Sequence, residues 1–586
     1  MPPMPCCARR QEREHDGPKN KSTCWHPAYA ALFAVATPDD EILKSDAWAG
    51  IRVGIVLIPQ AVAYATLAGM PPETGLYAAL LPSIVGILWG SSPLLAVGPV
   101  ALTSLLTFGS LSALAAPGSD DWVSLAIWLA LYAGLIQLAL GFSRLGRIAN
   151  LVSQPVMTGF INAAAIIIIF SQLPPLLGMA GYSSLRLAAF VDGLPALPAQ
   201  AFLPAAFGVG ALFGLFALRR FALALPGVLI VSVVGIAASF LLDYAAQGGA
   251  IVGTIASGMP DIVLPPDIPL TSHQELWPAA LVLALISFTK AMSSCRVLAR
   301  KTNERWSGNQ ELIGQGLAKM MSAFNGAFPV SGSFSRSALN LYAGATSAWS
   351  TLFAVLCVFL SLQFLTGVIY FMPMSVLAAM VMMPVFSLID VSAFRRIFAI
   401  SRSEGGIAVV AFLVTLFSIP RLHWGVVAGV GLTMASFLYR RTQPRIIEVS
   451  QHEDGTLRDR ARFGLQPLAP DLLAVRIDAA LNFLTAAALE RFVTDSRLAN
   501  PGVRRILLCS SAINAIDTTG IDTLASLHKS FAAEVVELYL SAVKKQIWEV
   551  LVKAGLVDTL TPGRFFPTDL AAIAVLSSRK EGSPLR

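Results

Sequence analysis

Charged side chains are scarce in this 586-residue chain: Asp, Glu, Lys and Arg make up 13% of it, while 55% is hydrophobic. A soluble globular protein keeps about a quarter of its residues charged, so that class is excluded. Cysteines are few and form no framework: Cys6, Cys7 and Cys24 lie in the N-terminal tail, Cys295 and Cys357 in or beside apolar runs, and Cys509 in a strand-like stretch. Neither a disulfide scaffold nor a cysteine metal site is expected. Of the six histidines, His15 is in the N-terminal tail and His26, His273, His423, His452 and His528 fall in loops, run ends or the C-terminal tail. None is paired with a carboxylate and a nucleophile at a catalytic spacing, so the sequence predicts no enzyme, no metal and no cofactor. The first 45 residues have no apolar core of a cleavable signal peptide. The net charge of +7 is modest and is read as loop bias, with no nucleic-acid partner expected.

What the chain has in abundance is apolar sequence. Mean hydropathy is +0.67. Spanning a bilayer as a helix takes roughly 20 apolar residues, and from Trp48 to about Arg440 such runs follow one another. They lack the strict alternation of a barrel, so the spans are helices in contact with a lipid bilayer. Hydropathy gives fourteen segments, near 48–70, 73–90, 97–115, 122–141, 149–172, 201–218, 223–243, 277–297, 309–326, 333–346, 348–369, 372–389, 405–419 and 422–439. Arg144 and Arg147, Arg219 and Arg220, the group from Arg296 to Arg305, Arg395, Arg396 and Arg402, and Arg440 and Arg441 all fall on one side. Tyr244 to Trp277, which has no Lys or Arg, and the acidic "PGSDDW" fall on the other. The positive-inside rule then predicts cytoplasmic N- and C-termini.

Two segments are short and open with Gly or Pro: the third, at "LAVGPVALTSLL", and the tenth, at "PVSGSFSRSALN". Each is third in a set of seven, and an odd-numbered half inverts its partner, which predicts a seven-plus-seven inverted repeat. Matching interrupted helices are the best sequence pointer to a transporter's midplane site. Helix starts near mid-membrane leave N–H groups unpaired and carry partial positive charge, favouring an anion. Arg336 would add a permanent cation, and Ser333 and Ser335 hydroxyl donors. The competing reading is that Arg336 snorkels from a span end and the serines merely cap a helix.

At these residues the sequence resembles the SulP family of anion permeases, which also contains prestin and pendrin. The resemblance rests on "GIRVGIVLIPQAVAYATLAGMPPETGLYAALLP" (50–82), "AVGPVALTSLL" (96–106), "LVSQPVMTGFINAAAIII" (151–168) and "NQELIGQGLAKMMSAFNGAFPVSGSFSRSALNLYAGA" (309–345). It implies a core of segments 1–4 and 8–11, a gate of segments 5–7 and 12–14, a homodimer, and elevator-like movement of the core. Carried over by position, it implies a substrate site at Gln60, Tyr64, Val100, Ser335 and Arg336. It also implies a multi-pass protein of the bacterial inner membrane.

One position departs from the family. Segment eight usually offers a Glu or Asp for proton or sodium coupling, and here the matching residue is Lys290, in "LISFTKAMSSCR". A lysine does not ligate a cation, so symport is placed in doubt. Lys290 either offsets the second charge of a divalent anion or turns toward the interface; a native carboxylate replaced by mutation is the third reading. The expectation is an exchanger or uncoupled carrier.

After "YRRTQPR" the composition turns soluble. Strands are expected at 472–477, 504–509 and 535–541, and helices near 482–497, 517–532, 544–556 and 568–577, an α/β layer. Its "AIDTTGIDTL" (515–524) resembles the STAS domain that ends SulP transporters, where the residue matching Thr518 is phosphorylated in some relatives. The alternative is that Asp517, Thr518 and Thr519 simply cap a helix. The organisation expected is a cytoplasmic segment 1–46, a transmembrane domain 47–441, a linker and start of the tail 442–460 and a STAS domain 461–580 serving dimer contact, folding or regulation, with a cytoplasmic partner. Sulfate leads as substrate; bicarbonate, chloride, nitrate and dicarboxylates suit the same physics. A channel and a non-transporting anion sensor remain as alternative functions.

Overall fold

The computed structural model describes residues 40–146, 152–179, 202–221, 227–560 and 563–578. The tail through residue 39, with Cys6, Cys7, Cys24, His15 and His26, and the loop residue Arg147 lie outside the described residues. Two compact units part at Gly431 and Leu432, inside the last membrane helix.

Each of the fourteen expected segments contains helix. The first is α1 (Asp40–Leu67). The second is not continuous: it breaks at Leu80 into α2 (Pro72–Ala79) and α3 (Leu81–Trp89). Pro82 explains the break, since proline has no N–H to give the preceding turn and sits best at a helix start. The third segment is β1 (Val97–Gly98) followed by α4 (Ala101–Leu111). There follow α5 (Asp120–Phe142), α6 (Gln154–Leu176), α7 (Phe202–Phe221), α8 (Gly227–Leu241), α9 (Leu270–Thr302) and α10 (Gly308–Phe324). The tenth segment repeats the plan of the third, with β2 (Ser331–Gly332) and then α11 (Phe334–Tyr342). The remainder are α12 (Trp349–Phe364), α13 (Met374–Phe386), α15 (Arg402–Phe417) and α16 (His423–Thr442), with α14 (Val391–Ile400) between α13 and α15. α14 was expected as an arginine-bearing loop; it is an amphipathic helix capped by Asp390, whose Oδ1 accepts from Ala393 N at 2.9 Å.

Packing sorts the helices into two groups. α5 lies on α9 and α10, α10 on α3, and α12 on α1; α6 lies on α13 and α15, and α7 on α8 and α13. Across the seam, α13 and α8 touch α1. The α5–α10 crossing brings backbones into contact: a Cβ at Gly134 would stand 2.8 Å from Gly316 O, and one at Gly316 2.8 Å from Gly134 O. Small residues at such crossings let helices approach where lipid offers no hydrophobic drive.

The second unit is a six-stranded sheet with helices. Its strands are β3 (Ile446–Gln451), β4 (Leu457–Asp459), β5 (Leu472–Ile477), β6 (Arg505–Cys509), β7 (Glu537–Ser541) and β8 (Phe565–Phe566), in the order β4-β3-β5-β6-β7-β8. β5 to β8 run parallel; β3 is antiparallel to β4 and β5. The helices are α17 (Ala486–Ala499), α18 (Thr518–Ala533), α19 (Lys545–Lys553) and α20 (Asp569–Ser578). Within 442–460, expected as linker and start of the tail, 446–451 and 457–459 are already sheet. "IIEVSQ" buries Ile447 and Val449 on one face while its backbone pairs with the edge of β5.

Candidate anion site

The two interrupted segments meet. β1 and β2 pair antiparallel, Val97 opposite Gly332 and Gly98 opposite Ser331, so α4 and α11 both start from one short ribbon. Buried serines fasten it. Ser83 Oγ donates to Val97 O at 2.8 Å, Ser337 Oγ accepts from Ala96 N at 2.9 Å and donates to Ser333 O at 2.7 Å, and Ser333 N donates to Ala96 O at 2.9 Å.

Both helix starts keep unpaired donors. α4 is preceded by half-buried Val100, extended and offering no side-chain cap, and among the described residues the N–H groups of Ala101, Leu102 and Thr103 find no acceptor. Ser333 caps α11 by accepting from Arg336 N at 3.4 Å, which leaves the N–H groups of Phe334 and Ser335 without one among the described residues. Capping thus describes Ser333. Ser335 is exposed, its Oγ 3.4 Å from Ser333 Oγ.

Arg336 does not snorkel. It is 2% exposed, and its guanidinium crosses to the other half-segment, where Nη1 donates to Pro99 O at 2.8 Å. Nη2 is buried and has no partner among the described residues. A Cβ at Gly98 would stand 3.2 Å from that Nη2, and Gly98 holds φ +153°, so glycine is what lets the ribbon and the cation share this space. A buried guanidinium with a free N–H is costly unless another acceptor meets it.

α1 closes the site, packing on both α4 and α11. Buried Tyr64 lies within electrostatic reach of Arg336. Gln60 is one turn earlier on the same face, its Oε1 buried without a partner among the described residues. Lys290 belongs to α9, which packs on β2 and α11. Ser331 Oγ donates to Ser287 O at 3.2 Å, and Lys290 is one turn beyond Ser287. It is half-buried; its carbonyl accepts from Ser294 Oγ at 3.1 Å, and its ammonium forms no hydrogen bond or ion pair among the described residues.

A second buried polar cluster was not foreseen. Lys319 is fully buried and donates to Gln137 Oε1 at 3.0 Å. Gln137 Nε2 donates to Ala284 O at 2.7 Å and Ser287 Oγ at 3.1 Å. On the same face of α10, Glu311 accepts from Gln315 Nε2 and from Ser91 N and Ser92 N. The signal was the four-residue spacing of Glu311, Gln315 and Lys319.

The chain as a whole is similar to known proteins. The sequence profile of the sulfate permease family fits residues 43–411, and a probable sulfate transporter of Mycobacterium tuberculosis is 30% identical over 543 residues, 92% of this chain and 96% of the relative. The chain belongs to the sulfate permease family. The STAS domain profile fits residues 467–570. The probable sulfate transporter 4.2 of Arabidopsis thaliana is 29% identical over 545 residues, 90% of this chain and 80% of the relative. The murine solute carrier 26 family member A9, an anion transporter solved in the inward-facing state, superposes with a TM-score of 0.84 at 20% identity over 97% of this permease and 96% of that chain. The transmembrane domain of a cyanobacterium bicarbonate transporter gives 0.59 at 22% identity, covering 66% and 97%. At these identities the solved structures speak to fold: a helical membrane domain like that of the murine transporter, followed by a STAS domain.

In the STAS unit, Asp517 is the cap of α18, Oδ1 accepting from Gly520 N at 2.9 Å and Oδ2 from Phe483 N at 3.1 Å. Thr518, the first residue of α18, is exposed.

Proposed function

We propose that this anion permease carries sulfate, bound between the starts of α4 and α11. The supporting observation is the buried guanidinium of Arg336, tied by Nη1 to Pro99 and free at Nη2, beside two sets of unpaired N–H groups. Such donors suit a compact oxyanion with acceptors on every side. Ser333, Ser335, Val100, Gln60 and Tyr64 complete the lining. Relatives named as sulfate transporters favour sulfate among the anions that fit; bicarbonate, chloride and dicarboxylates are the alternatives.

Movement is elevator-like: α1–α5 with α9–α12 shift against the second helix group, in a homodimer. Both termini are cytoplasmic and the membrane is a bacterial inner membrane; the arginines grouped on one side of the segments support that orientation. Lys290 favours an exchanger or uncoupled carrier, since the coupling position offers no carboxylate. Thr518, exposed at a helix start, would accept a phosphate without disturbing the cap on Asp517.

The test is uptake of radiolabelled sulfate into proteoliposomes, with and without an inward proton gradient, by wild type, Arg336→Ala and Lys290→Glu. Uptake is expected to vanish in Arg336→Ala and to respond to the gradient only in Lys290→Glu. Wild-type uptake of another anion but not sulfate would refute the substrate and leave the site standing; anion binding without any flux would refute transport.

A further inference from the structure

α7 is less buried than the other long apolar helices among the described residues. Only 22% of its apolar window is buried, against 44% or more in the other five long apolar helices among the described residues. Between it and α13 runs a cleft of about 560 Å³, room for one acyl chain. Leu212, Phe213 and Phe216 of α7 and Met383 and Phe386 of α13 form its walls, and Arg219 stands at one end. The α7 residues are spaced as one helical stripe, so Arg219 continues the line of the apolar side chains by one more turn.

The side chain of Arg219 has no hydrogen bond or ion pair among the described residues, and neither α7 nor α13 contains an Asp or Glu to meet it. An apolar trough ending in an unpaired cation fits a ligand with a long apolar body and one anionic end. A second copy of this chain fits poorly: an isologous contact through this face would bring Arg219 toward its own copy, with no acid on either helix. We infer that the cleft between α7 and α13 binds an anionic phospholipid, with an acyl chain along Phe213, Phe216 and Met383 and the phosphate on Arg219.

On the orientation proposed above, this end of α7 faces the cytoplasmic leaflet, where anionic lipids gather and basic sites between helices hold their headgroups. The lipid lies against α13, the helix that also packs on α1.

Native mass spectrometry of the delipidated full chain, titrated with phosphatidylglycerol or with phosphatidylcholine of the same acyl chains, tests this independently of any transport reading. One arginine near a membrane surface is worth about fivefold in affinity. The wild type is therefore expected to hold its first phosphatidylglycerol about fivefold more tightly than phosphatidylcholine. Arg219→Gln should erase the difference and Arg219→Lys restore it. Met383→Trp, which fills the trough, should lose that lipid of either kind, while Arg402→Gln, on a different helix, should change nothing. No preference in the wild type, or a preference that survives Arg219→Gln, would overturn the inference. A changed monomer-to-dimer ratio in Arg219→Gln or Met383→Trp with lipid count unaltered would overturn it too, and would assign the face to a second copy.

Discussion

Replacing Arg336 with lysine separates two tasks that the guanidinium performs at once. Nη1 holds Pro99 O at 2.8 Å and ties α11 to the start of α4; Nη2 is left for the anion. Lysine keeps the positive charge but offers one nitrogen on a flexible stem, with no fork to face two directions. It can serve Pro99 or the anion, and the carbonyl is covalently fixed nearby, so the anion loses its donor. A hydrogen bond involving a charged group contributes about 1.5–3 kcal/mol, which converts to roughly a tenfold to 150-fold weaker sulfate dissociation constant. Stability should change little, because the bond to Pro99 survives. The assay is calorimetric titration of sulfate into the purified full chain, with thermal unfolding followed in parallel. Sulfate binding within twofold of wild type in Arg336→Lys would refute the assignment of Nη2 to the anion. A large fall in unfolding temperature would show instead that the fork is needed to hold the fold.

Gly98→Ala asks a side chain to enter a glycine-only backbone region and to crowd Nη2 from 3.2 Å. A loss of about 1–3 kcal/mol is expected, read as a lower unfolding temperature together with weakened sulfate binding. Lys319→Met should lose about 1–3 kcal/mol by leaving Gln137 Oε1 buried without its donor. Adding Gln137→Leu should recover part of that, since removing both partners costs less than removing one, and thermal unfolding of the three variants checks the order. In the STAS unit, burial and then the charge of Arg564 hold His528 below the usual imidazole range. The folded chain therefore binds that proton less readily than the unfolded one, so the contribution is intact above about pH 6.5 and is lost as pH falls below it. His528→Gln should flatten this acid-side decline in unfolding midpoint, and a slope unchanged by the substitution would contradict it.

Hydropathy was enough to mark fourteen segments that each contain helix, because a backbone in lipid must satisfy its own hydrogen bonds, although only six of the described helices are long and apolar enough to cross a membrane alone. The paired interruptions were legible for a similar reason. Gly98-Pro99 and "PVSGS" cannot continue a helix, and they recur at matching positions. The break at Leu80 lay hidden inside a uniformly apolar run, where only Pro82 marked it. α14 was missed because its arginines read as loop when its apolar face, carrying Ala393 and Ile397, was not weighed. Three strands of the STAS sheet were readable from their continuous apolar runs, whereas β3, β4 and β8 are edge-side or two- to six-residue strands whose pairing comes from tertiary context. At the site, types and spacing pointed to Arg336 and its serines. No single sequence could give the crossing of Arg336 to Pro99, or the link from Lys319 through Gln137 to the helix carrying Lys290, since those contacts join residues far apart in the chain.

The ribbon of β1 and β2 also bears on how the molecule is made. Arg336 and Pro99 are 237 residues apart, so the first half-segment is synthesised and inserted long before the second exists. Through that interval β1 has no strand to pair with, Ala96 N and O lack Ser337 and Ser333, and Pro99 O lacks Arg336, a condition that hydrocarbon does not tolerate. The nascent first half must therefore keep this corner wet or lent to another protein until α11 arrives. A ribosome-stalled chain ending before Ser331 should accordingly be the stage most open to degradation, and completion of α11 the step that seals the fold.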